Sequence, residues 1–474
     1  MSERLKAPDT AENRVPSLPA KWKSDTLQQL SLVPVLYGIL QPGPDTPGGI
    51  PYVRPTEISE DVIDLSSIRR TTPEIAGKYK RSVLKPDDII LSIVGTIGKV
   101  AIVPTELDGG NITQSSVRIR VKPEQTTHRY IAWALRSPVL TRQYDKHRLG
   151  TAVPRLNVAH VRALEIPVAP LPEQRRIVAE IEKQFTRLEA GGAALRRVQA
   201  NLHRYRAAVL KAACEGRLVP TEAETRKKFE TGEQLLERIL KQRREQWTGK
   251  GKYKEPATPD ITGLPKFPDG WCWTRLEQLG FPVGGLTKNP KRAKLPKQLP
   301  YLRVANVYAN ELRLDEIEHI GVDDSELEKL LLRVGDLLVV EGNGSKDQIG
   351  RLAVWDGSID PCVHQNHIIK VRPIEARMPK WILHWVQSPG GRHFVELVAS
   401  STSGLYTLSV GKVGDLPIAL PPLAEQERIV AEVERRLSVV EESSALVTAN
   451  LQRATRLRQS ILQRAFEGKL VGQA

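Results

Sequence analysis

The feature that most constrains the fold is a phrase that occurs twice. Residues 171–182 read LPEQRRIVAEIE, and residues 423–434 read LAEQERIVAEVE, 252 positions later. The EGRLV of 215–219 returns at the same offset as the EGKLV of 467–471. A repeat of so long a period indicates a chain built from two copies of one large structural unit.

The regions upstream of each phrase also correspond, in the same order. PYVR (51–54) matches PYLR (300–303), and KPDDIILSI (85–93) matches RVGDLLVVE (333–341). IGKVAIV (97–103) matches IGRLAVW (349–355), and TQSSVRIRV (113–121) matches HQNHIIKV (364–371). The chain is therefore a tandem duplication of a variable module followed by a conserved helix.

Each conserved segment is predicted to be one long helix, the first over 172–214. Apolar residues recur at steps of four, three and seven, as in a coiled-coil seam. The seam residues are Ile177, Ile181, Phe185, Leu188, Leu195, Val198, Leu202, Tyr205 and Val209, then Ile429, Val433, Leu437, Val440, Val447, Leu451 and Ile461. A helix roughly 65 Å long cannot bury such a stripe alone, so we expect the two copies to pack on each other. Two unrelated helices in separate cores are the alternative.

One match inside the helices has a different offset. ANL occurs at 200–202 and again at 449–451, 249 positions later. This predicts that one helix has gained and then lost about one turn relative to the other.

The variable modules have a different sequence pattern. They contain short Val/Ile-rich runs bounded by Gly, Pro and Asp, which favours an α+β fold. One helical stretch, RYIAWALRSPV or KWILHWVQSPG, is predicted in each. The predicted boundaries are a flexible N-terminus (1–17), module 1 (18–168), helix 1 (169–219), a charged helix and linker (220–261), module 2 (262–419) and helix 2 (420–474).

The net charge of +15 and the pI of about 9.6 favour a polyanionic partner, because Lys and Arg displace counterions from a phosphate backbone. Solubility alone is the alternative explanation. Three scattered cysteines and the absence of a signal-peptide pattern or a membrane-length apolar run predict a cytoplasmic, bacterial or archaeal protein.

Polar loops between the predicted strands, and before each long helix, carry amide, hydroxyl and guanidinium groups, which suit phosphates and base edges. The alternative is that these are ordinary hairpin turns and solvated basic loops. The candidate DNA contacts are Thr96, Lys99, Gln114, Arg148, Thr151, Arg155 and Asn157 in module 1, and Asn343, Ser345, Lys346, Gln348, Arg351, Gln365, His367, Thr402 and Tyr406 in module 2.

Catalytic and metal motifs are missing from the sequence. Cys362 and His364 would share a strand face while His367 points away, so no zinc site is predicted. The glycine-rich GTIGK and EGNGSKDQIGR lack the spacing of a phosphate-binding loop. Neither a methyltransferase motif nor a Walker A, helicase or nuclease set is present. The chain is predicted to bind rather than to catalyse.

These motifs closely resemble the specificity subunit of Type I restriction–modification enzymes. The resemblance rests on the two helix phrases, on the linker leading into PDGWCWTRLEQLG (268–280), and on PYLRVANV (300–307) and VHQNHIIKV (363–371). It covers nearly the whole chain. Module 1 departs from it, with PYVRPTEI in place of PYLRVANV and TQSS in place of HQNH.

The resemblance implies two target-recognition domains, each reading one half of an asymmetric bipartite DNA site. It implies that antiparallel helices set the unread spacer and dock two modification subunits, with restriction subunits joining them. S-adenosylmethionine, ATP and Mg would then be held by the partner subunits and no cofactor by this chain. A coiled-coil scaffold for protein partners and an enzyme acting alone are the competing hypotheses.

Overall fold

The computed structural model describes residues 18–59, 61–150, 152–248, 251–343, 345, 348–402 and 405–472. The predicted flexible N-terminus, 1–17, lies outside them. The chain divides into two compact units: unit 1 comprises 1–197 and 447–474, and unit 2 comprises 198–446. Each unit contains one variable module and a part of each long helix.

Module 1 contains eleven strands and four short helices among its described residues. The strands are β1 (Lys23–Thr26), β2 (Leu36–Tyr37), β3 (Ile50–Val53), β4 (Ile58–Ser59), β5 (Val62–Ile63), β6 (Arg69–Thr71), β7 (Ile89–Ser92), β8 (Val100–Ile102), β9 (Asn111–Ile112), β10 (Ser116–Ile119) and β11 (Glu165–Val168). The helices are α1 (Pro73–Gly77), α2 (His128–Leu135), α3 (Pro138–His147) and α4 (Val158–Arg162).

The two long helices are α5 (Leu171–Cys214) and α13 (Leu423–Phe466), of 44 residues each. Between α5 and module 2 lie α6 (Glu222–Thr225) and α7 (Gly232–Glu245). Leu235 and Ile239 of α7 are fully buried in the core of unit 2, so the predicted charged helix is part of that core.

The described residues of module 2 contain fourteen strands and five helices. The strands are β12 (Cys272–Arg275), β13 (Gly280–Gly284), β14 (Gln298–Leu302), β15 (Val307–Tyr308), β16 (Glu311–Leu312), β17 (Glu318–Gly321), β18 (Leu337–Val340), β19 (Gly342–Asn343), β20 (Leu352–Val354), β21 (Val363–His364), β22 (Ile368–Pro373), β23 (Ser400–Thr402), β24 (Leu405–Thr407) and β25 (Pro417–Leu420). The helices are α8 (Leu276–Leu279), α9 (Asp324–Leu330), α10 (Pro379–Gln387), α11 (Pro389–Val398) and α12 (Val410–Gly414).

The two modules share one topology, which is an α+β arrangement of small sheets. The sheet β2-β10-β7-β8 corresponds to β13-β22-β18-β20, and β6-β3-β9 corresponds to β17-β14-β21. The pair β1-β11 corresponds to β12-β25. The central strands β7 and β18 are buried along their whole length, which explains their uninterrupted apolar sequences.

The same buried ion pair supports both central sheets. Asp88 and Asp336 are each 1% exposed and accept two hydrogen bonds of 2.7 Å from Arg120 and Arg372, respectively. Each carboxylate also accepts a backbone N–H at 2.8 Å, from Lys85 or Arg333. The segment Lys85–Asp88 is therefore a turn that leads into β7.

The single helical stretch predicted in each module is in fact two helices. The side chain of Ser137 caps α3 by accepting from Leu140 N, and Pro138 follows at the first helical position. Ser388 and Pro389 do the same for α11. A proline without an N–H cannot continue the preceding helix, so the SP dipeptide ends one helix and begins the next.

The repeated phrase LPEQ/LAEQ fastens the start of each long helix. Trp22 Nε1 donates to Glu173 Oε1 at 3.2 Å, and Trp271 Nε1 donates to Glu425 Oε1 at 2.9 Å. The next residue in each copy is a buried glutamine whose Nε2 donates at 2.8 Å to a carbonyl preceding the helix, Ala169 O or Pro421 O. Two consecutive side chains thus fix where the helix begins.

The phrase EGRLV/EGKLV ends each long helix, and does so in the other unit. Gly216 and Gly468 have φ of +67° and +70°, the left-handed conformation of a helix C-cap. Arg217 N returns to Ala212 O and Lys469 N to Arg464 O, both at 2.8 Å. Hence α5 starts in unit 1 and ends in unit 2, while α13 does the reverse.

One detail of the helix prediction is wrong. Val198 and Tyr205 are 43% and 46% exposed, so they do not belong to a buried seam. The gain and loss of one turn around ANL stays a prediction, because two helices of 44 residues each are compatible with it. Arg458 pairs with Glu189 at 3.7 Å and Arg206 with Glu441 at 3.4 Å. The two pairs are equivalent in the repeat, since Arg458 and Glu441 lie 252 positions after Arg206 and Glu189, respectively.

Candidate nucleic-acid interface

Three loops of module 1 converge beside the end of β7. Loop A is 93–99, loop B is 113–116 and loop C is 148–157. Ile93 N donates to Ser115 O at 2.8 Å, and Leu156 N donates to Ile93 O at 2.8 Å. Gly95 N also donates to Pro154 O at 2.8 Å. Segments distant in sequence therefore form one surface.

Module 2 has equivalent loops, which keep the names loop A (341–351), loop B (365–368) and loop C (400–409). They are joined by the same hydrogen bonds. Glu341 N donates to His367 O at 2.9 Å, and Leu408 N donates to Glu341 O at 2.7 Å. The isolated bridge between Val94 and Arg155 in module 1 becomes the β19-β24 pairing in module 2.

The loops differ most in length at loop A. Nine positions separate Leu91 from its partner Val100 across the β7-β8 hairpin, whereas thirteen separate Val339 from Leu352. The second module therefore carries four more residues in this loop. The shared framework places a longer and chemically different loop at the same point.

The structure brings most of the predicted module 1 contacts onto this surface. Thr96, Gln114, Arg148 and Arg155 are exposed on loops A, B and C. The side chain of Arg148 is 50% exposed and faces Asp145 at 3.9 Å. Thr151 lies outside the described residues. These four remain predicted DNA contacts.

Two further predicted residues of module 1 have structural roles. Lys99 Nζ donates to Pro55 O at 2.9 Å and to Ile58 O at 2.8 Å, so its ammonium ties loop A to the neighbouring turn. Asn157 caps α4 by accepting from Ala159 N at 3.2 Å.

In module 2, Ser345 and Gln348 are exposed on the longer loop A. His367 is 55% exposed, and its Nδ1 lies 3.2 Å from Glu341 Oε2. Tyr406 is half-buried on β24, opposite Asn343 on β19, and Thr402 lies on β23. Lys346 lies outside the described residues.

Arg351 and Gln365 support the framework of module 2. Arg351 donates to Val304 O at 2.9 Å and lies over the ring of Tyr308 at 4.8 Å. Gln365 Oε1 accepts from Val304 N at 3.3 Å. Both residues hold the turn 304–308 against the loops, which is a different role from base contact.

Burial sets the protonation state of two groups near this surface. Burial, together with the charge of Lys370, lowers the pKa of His364 to about 4. Burial likewise lowers the pKa of Lys370 to about 8. His364 Nδ1 lies 2.9 Å from Ile368 O, which makes it a neutral structural donor.

No cluster of three His, Cys, Asp or Glu side chains able to hold a metal ion occurs among the described residues. None of the described helices has the length and apolar character needed to cross a membrane.

Sequence reasoning missed a groove in unit 1, beside loops A and C, whose lining includes four arginines. It has a volume of about 1090 Å³, and its lining includes Ile97, Arg136, Arg148, Arg196 and Arg458. The sequence does contain one pattern that points to the part of the groove formed by α5. No Asp or Glu occurs between 190 and 214.

Residues 44–192, which include all three loops of module 1, match the family model described as Type I restriction modification DNA specificity domain. The chain is also similar to curated Type I restriction specificity subunits. It is 23% identical to the EcoKI specificity subunit of Escherichia coli (strain K12) over 90% of this chain and 83% of that one. It is also 23% identical to the StySPI specificity subunit of Salmonella potsdam, again over 90% and 83%. The predicted family resemblance is thereby confirmed.

A solved chain from a study of complex assembly and conformational transition of the type I R-M system has the same fold. The two superpose with a TM-score of 0.66 at 21% identity, covering 96% of this chain and 100% of that one.

Proposed function

We propose that this chain is the DNA-recognition subunit of a Type I restriction–modification enzyme and that each module reads one half of an asymmetric bipartite site. One observation carries the proposal: both modules assemble loops A, B and C with the same backbone hydrogen bonds, while the loops differ in length and side chains. A repeated framework bearing divergent loops suits two related tasks with different targets.

The long helices would set the length of the unread spacer. Each long helix is held at its start by a Trp–Glu hydrogen bond and is capped at its end by a left-handed glycine. These contacts support the spacer role, because they fix both ends of the helix to the surrounding structure. The pairs Arg458–Glu189 and Arg206–Glu441 support an antiparallel arrangement of the two helices, since a higher number on one helix meets a lower number on the other.

Catalysis would belong to the partners. In this proposal two methyltransferase subunits dock on the modules and helices and hold S-adenosylmethionine. Restriction subunits would join through them with ATP and Mg, and the assembly would work in the cytoplasm. The sequence supports a binding role through its lack of methyltransferase, Walker and nuclease motifs.

The test is to map adenine methylation in DNA from cells that express this chain with its methyltransferase partner. We expect one bipartite motif whose two halves differ in sequence. Methylation without a defined motif, or at a palindrome, would contradict the proposal.

The assignment of modules to half-sites can be tested in the same assay. Arg155→Ala should relax or change one half of the motif, and Gln348→Ala the other half only. Leu32→Ala serves as a control, because Leu32 is an exposed residue of module 1 outside the three loops. A scaffold for protein partners would instead leave the motif unchanged in all variants.

A further inference from the structure

The groove of unit 1 continues from the predicted DNA-contact surface onto the long helices. Its module side includes Ile97 and Gly98 of loop A and Arg148 of loop C. Its helix side includes Gly192 and Arg196 of α5, together with Thr455, Arg458 and Gln459 of α13. We call it the Arg196 groove. Ile97, Gly98 and Arg148 therefore belong both to the predicted DNA-contact loops and to the groove.

The lining of the Arg196 groove carries one more cation than carboxylates, with Arg136, Arg148, Arg196 and Arg458 against Asp61, Asp145 and Glu189. Arg136, 11% exposed, lies 2.8 Å from Asp61, and Arg458 lies 3.3 Å from the other oxygen of the same carboxylate. Arg458 also faces Glu189, at the longer distance of 3.7 Å. Burial, opposed by the carboxylate of Asp61 and aided by the charge of Arg458, lowers the pKa of Arg136 to about 10.

The arginines at the rim of the groove have few carboxylates close enough to neutralise them. Arg196 is exposed and has no ion pair among the described residues, and Arg148 has only the 3.9 Å approach of Asp145. Gly192 lies one turn before Arg196, where a Cβ would come no closer than 3.7 Å to the Arg196 guanidinium. The glycine leaves the space beside that guanidinium open.

The charge of the helices follows the same pattern in both copies. From 190 to 214 α5 has five Lys or Arg and no Asp or Glu, and from 443 to 466 α13 has four Arg and no Asp or Glu. The first part of α5, 171–189, has four of each sign, and the first part of α13, 423–442, has six acids and three bases. A helix needs no such segregation, since Glu–Arg pairs one turn apart would stabilise it. The acid-free segments therefore suit a polyanion.

We propose that the Arg196 groove holds the phosphodiester backbone of the DNA adjoining the half-site that module 1 reads, with Arg196 and Arg148 contacting phosphates. The inference rests on the proposed function and deepens it, because it gives the helix a direct and sequence-independent part in DNA affinity. Guanidinium groups suit this task, since they pair with phosphate oxygens bidentately.

The test measures DNA affinity of the full chain, assembled with its methyltransferase partner, as a function of salt. The probes are a duplex carrying the motif found by methylation mapping and a duplex of the same composition in scrambled order. Arg196→Gln should reduce the magnitude of the slope of log K against log salt by about 0.9, on both duplexes alike. The preference for the motif should stay unchanged, because backbone contacts carry no sequence information.

Two matched variants control for charge and shape. Arg187→Gln removes an exposed arginine from the same helix, outside the groove and within the mixed-charge segment, and should leave the slope unchanged. Gly192→Glu places a carboxylate beside Arg196, whereas Gly192→Gln adds a side chain of the same size without charge. The glutamate should weaken binding to both duplexes more than the glutamine does.

An unchanged slope in Arg196→Gln would overturn the inference even if the chain recognises its motif normally. So would equal effects of Arg187→Gln and Arg196→Gln. Loss of assembly with the methyltransferase, with unaltered DNA affinity of the complex that does form, would make the groove a protein-docking site and also overturn it. Failure of the proposed function is separate, since the wild-type complex would then show no preference between the two duplexes.

Discussion

Replacing Gly216 by alanine should destabilise the chain through the cap that ends α5. With φ at +67°, Gly216 occupies the left-handed region, which costs an L-residue about 1–2 kcal/mol. A Cβ there would also lie 2.5 Å from Pro268 Cγ, 3.1 Å from Pro268 Cδ and 3.3 Å from Trp271 Cζ2. Neither ring can rotate away as a flexible side chain could, and overpacking of this kind costs about 1–3 kcal/mol.

The two contributions together give a destabilisation of about 3 kcal/mol. For a folding unit of this size, each kcal/mol lowers Tm by about 2–4 °C, so Gly216→Ala should melt about 6–12 °C lower. Scanning calorimetry of the full chain measures this directly. Gly468→Ala is the repeat equivalent, because a Cβ there would overlap Pro19, and it should destabilise unit 1 in the same way.

Gly191→Ala is the matched control on the same helix. A Cβ at Gly191 would meet nothing within 4 Å, and alanine in a helix interior is favoured over glycine by about 1 kcal/mol. Its Tm should rise slightly. A Tm for Gly216→Ala within about 1 °C of wild type would refute the reasoning, since it would mean that neither the φ value nor the contact with Pro268 constrains this position.

Four further changes have defined outcomes. Glu425→Gln should lower the free energy of unfolding by about 2 kcal/mol in urea titration, because this fully buried carboxylate accepts N–H groups from both Trp271 and Glu222 at 2.9 Å and an amide NH₂ cannot accept. Asp336→Asn should cost about 3 kcal/mol by leaving the guanidinium of Arg372 without its charge partner, and an unchanged urea midpoint would contradict this. His384 is 3% exposed, and burial lowers its pKa to about 4, so the folded chain binds fewer protons than the unfolded chain between about pH 4 and 6.5. Stability should therefore fall by up to about 3 kcal/mol as the pH drops through that window, and His384→Leu should flatten the profile measured by thermal unfolding. Inserting seven residues into both helices, near 190–200 and at the equivalent point of α13, adds about 10 Å to each and should lengthen the tolerated spacer while both half-sites stay the same; altered half-sites in the methylation map would contradict the spacer role.

The long helices and the buried strands of the two larger sheets could be predicted from the sequence because their signals are local. Apolar periodicity predicted a helix over 172–214, and the structure has Leu171–Cys214. The runs IILS and LLVV are strands as predicted. Local signals failed at Val198 and Tyr205, which fit the apolar spacing but are 43% and 46% exposed.

The candidate site was harder to predict because it depends on contacts between distant segments. The sequence indicated polar loops but could not show that loops A, B and C meet, since the hydrogen bonds from Ile93 reach Ser115 and Leu156. Nor can a sequence distinguish a cation that faces a partner from one that satisfies carbonyl groups. Lys99 and Arg351 are of the second kind.

The way in which the loops are joined explains how the two halves can differ so much on one framework. The bonds that fix loops A, B and C are donated and accepted by the backbone, at Ile93 in module 1 and at Glu341 in module 2. Backbone bonds place no demand on side chains, and exposed side chains away from special features change stability by about 0.5 kcal/mol or less when substituted. Residues such as Thr96 and Arg155 can therefore change without loss of the fold, and a loop can grow by four residues between strands whose pairing is unchanged. The helix starts, held by Glu173 and Glu425, have no such freedom, because there the side chain itself makes the contact.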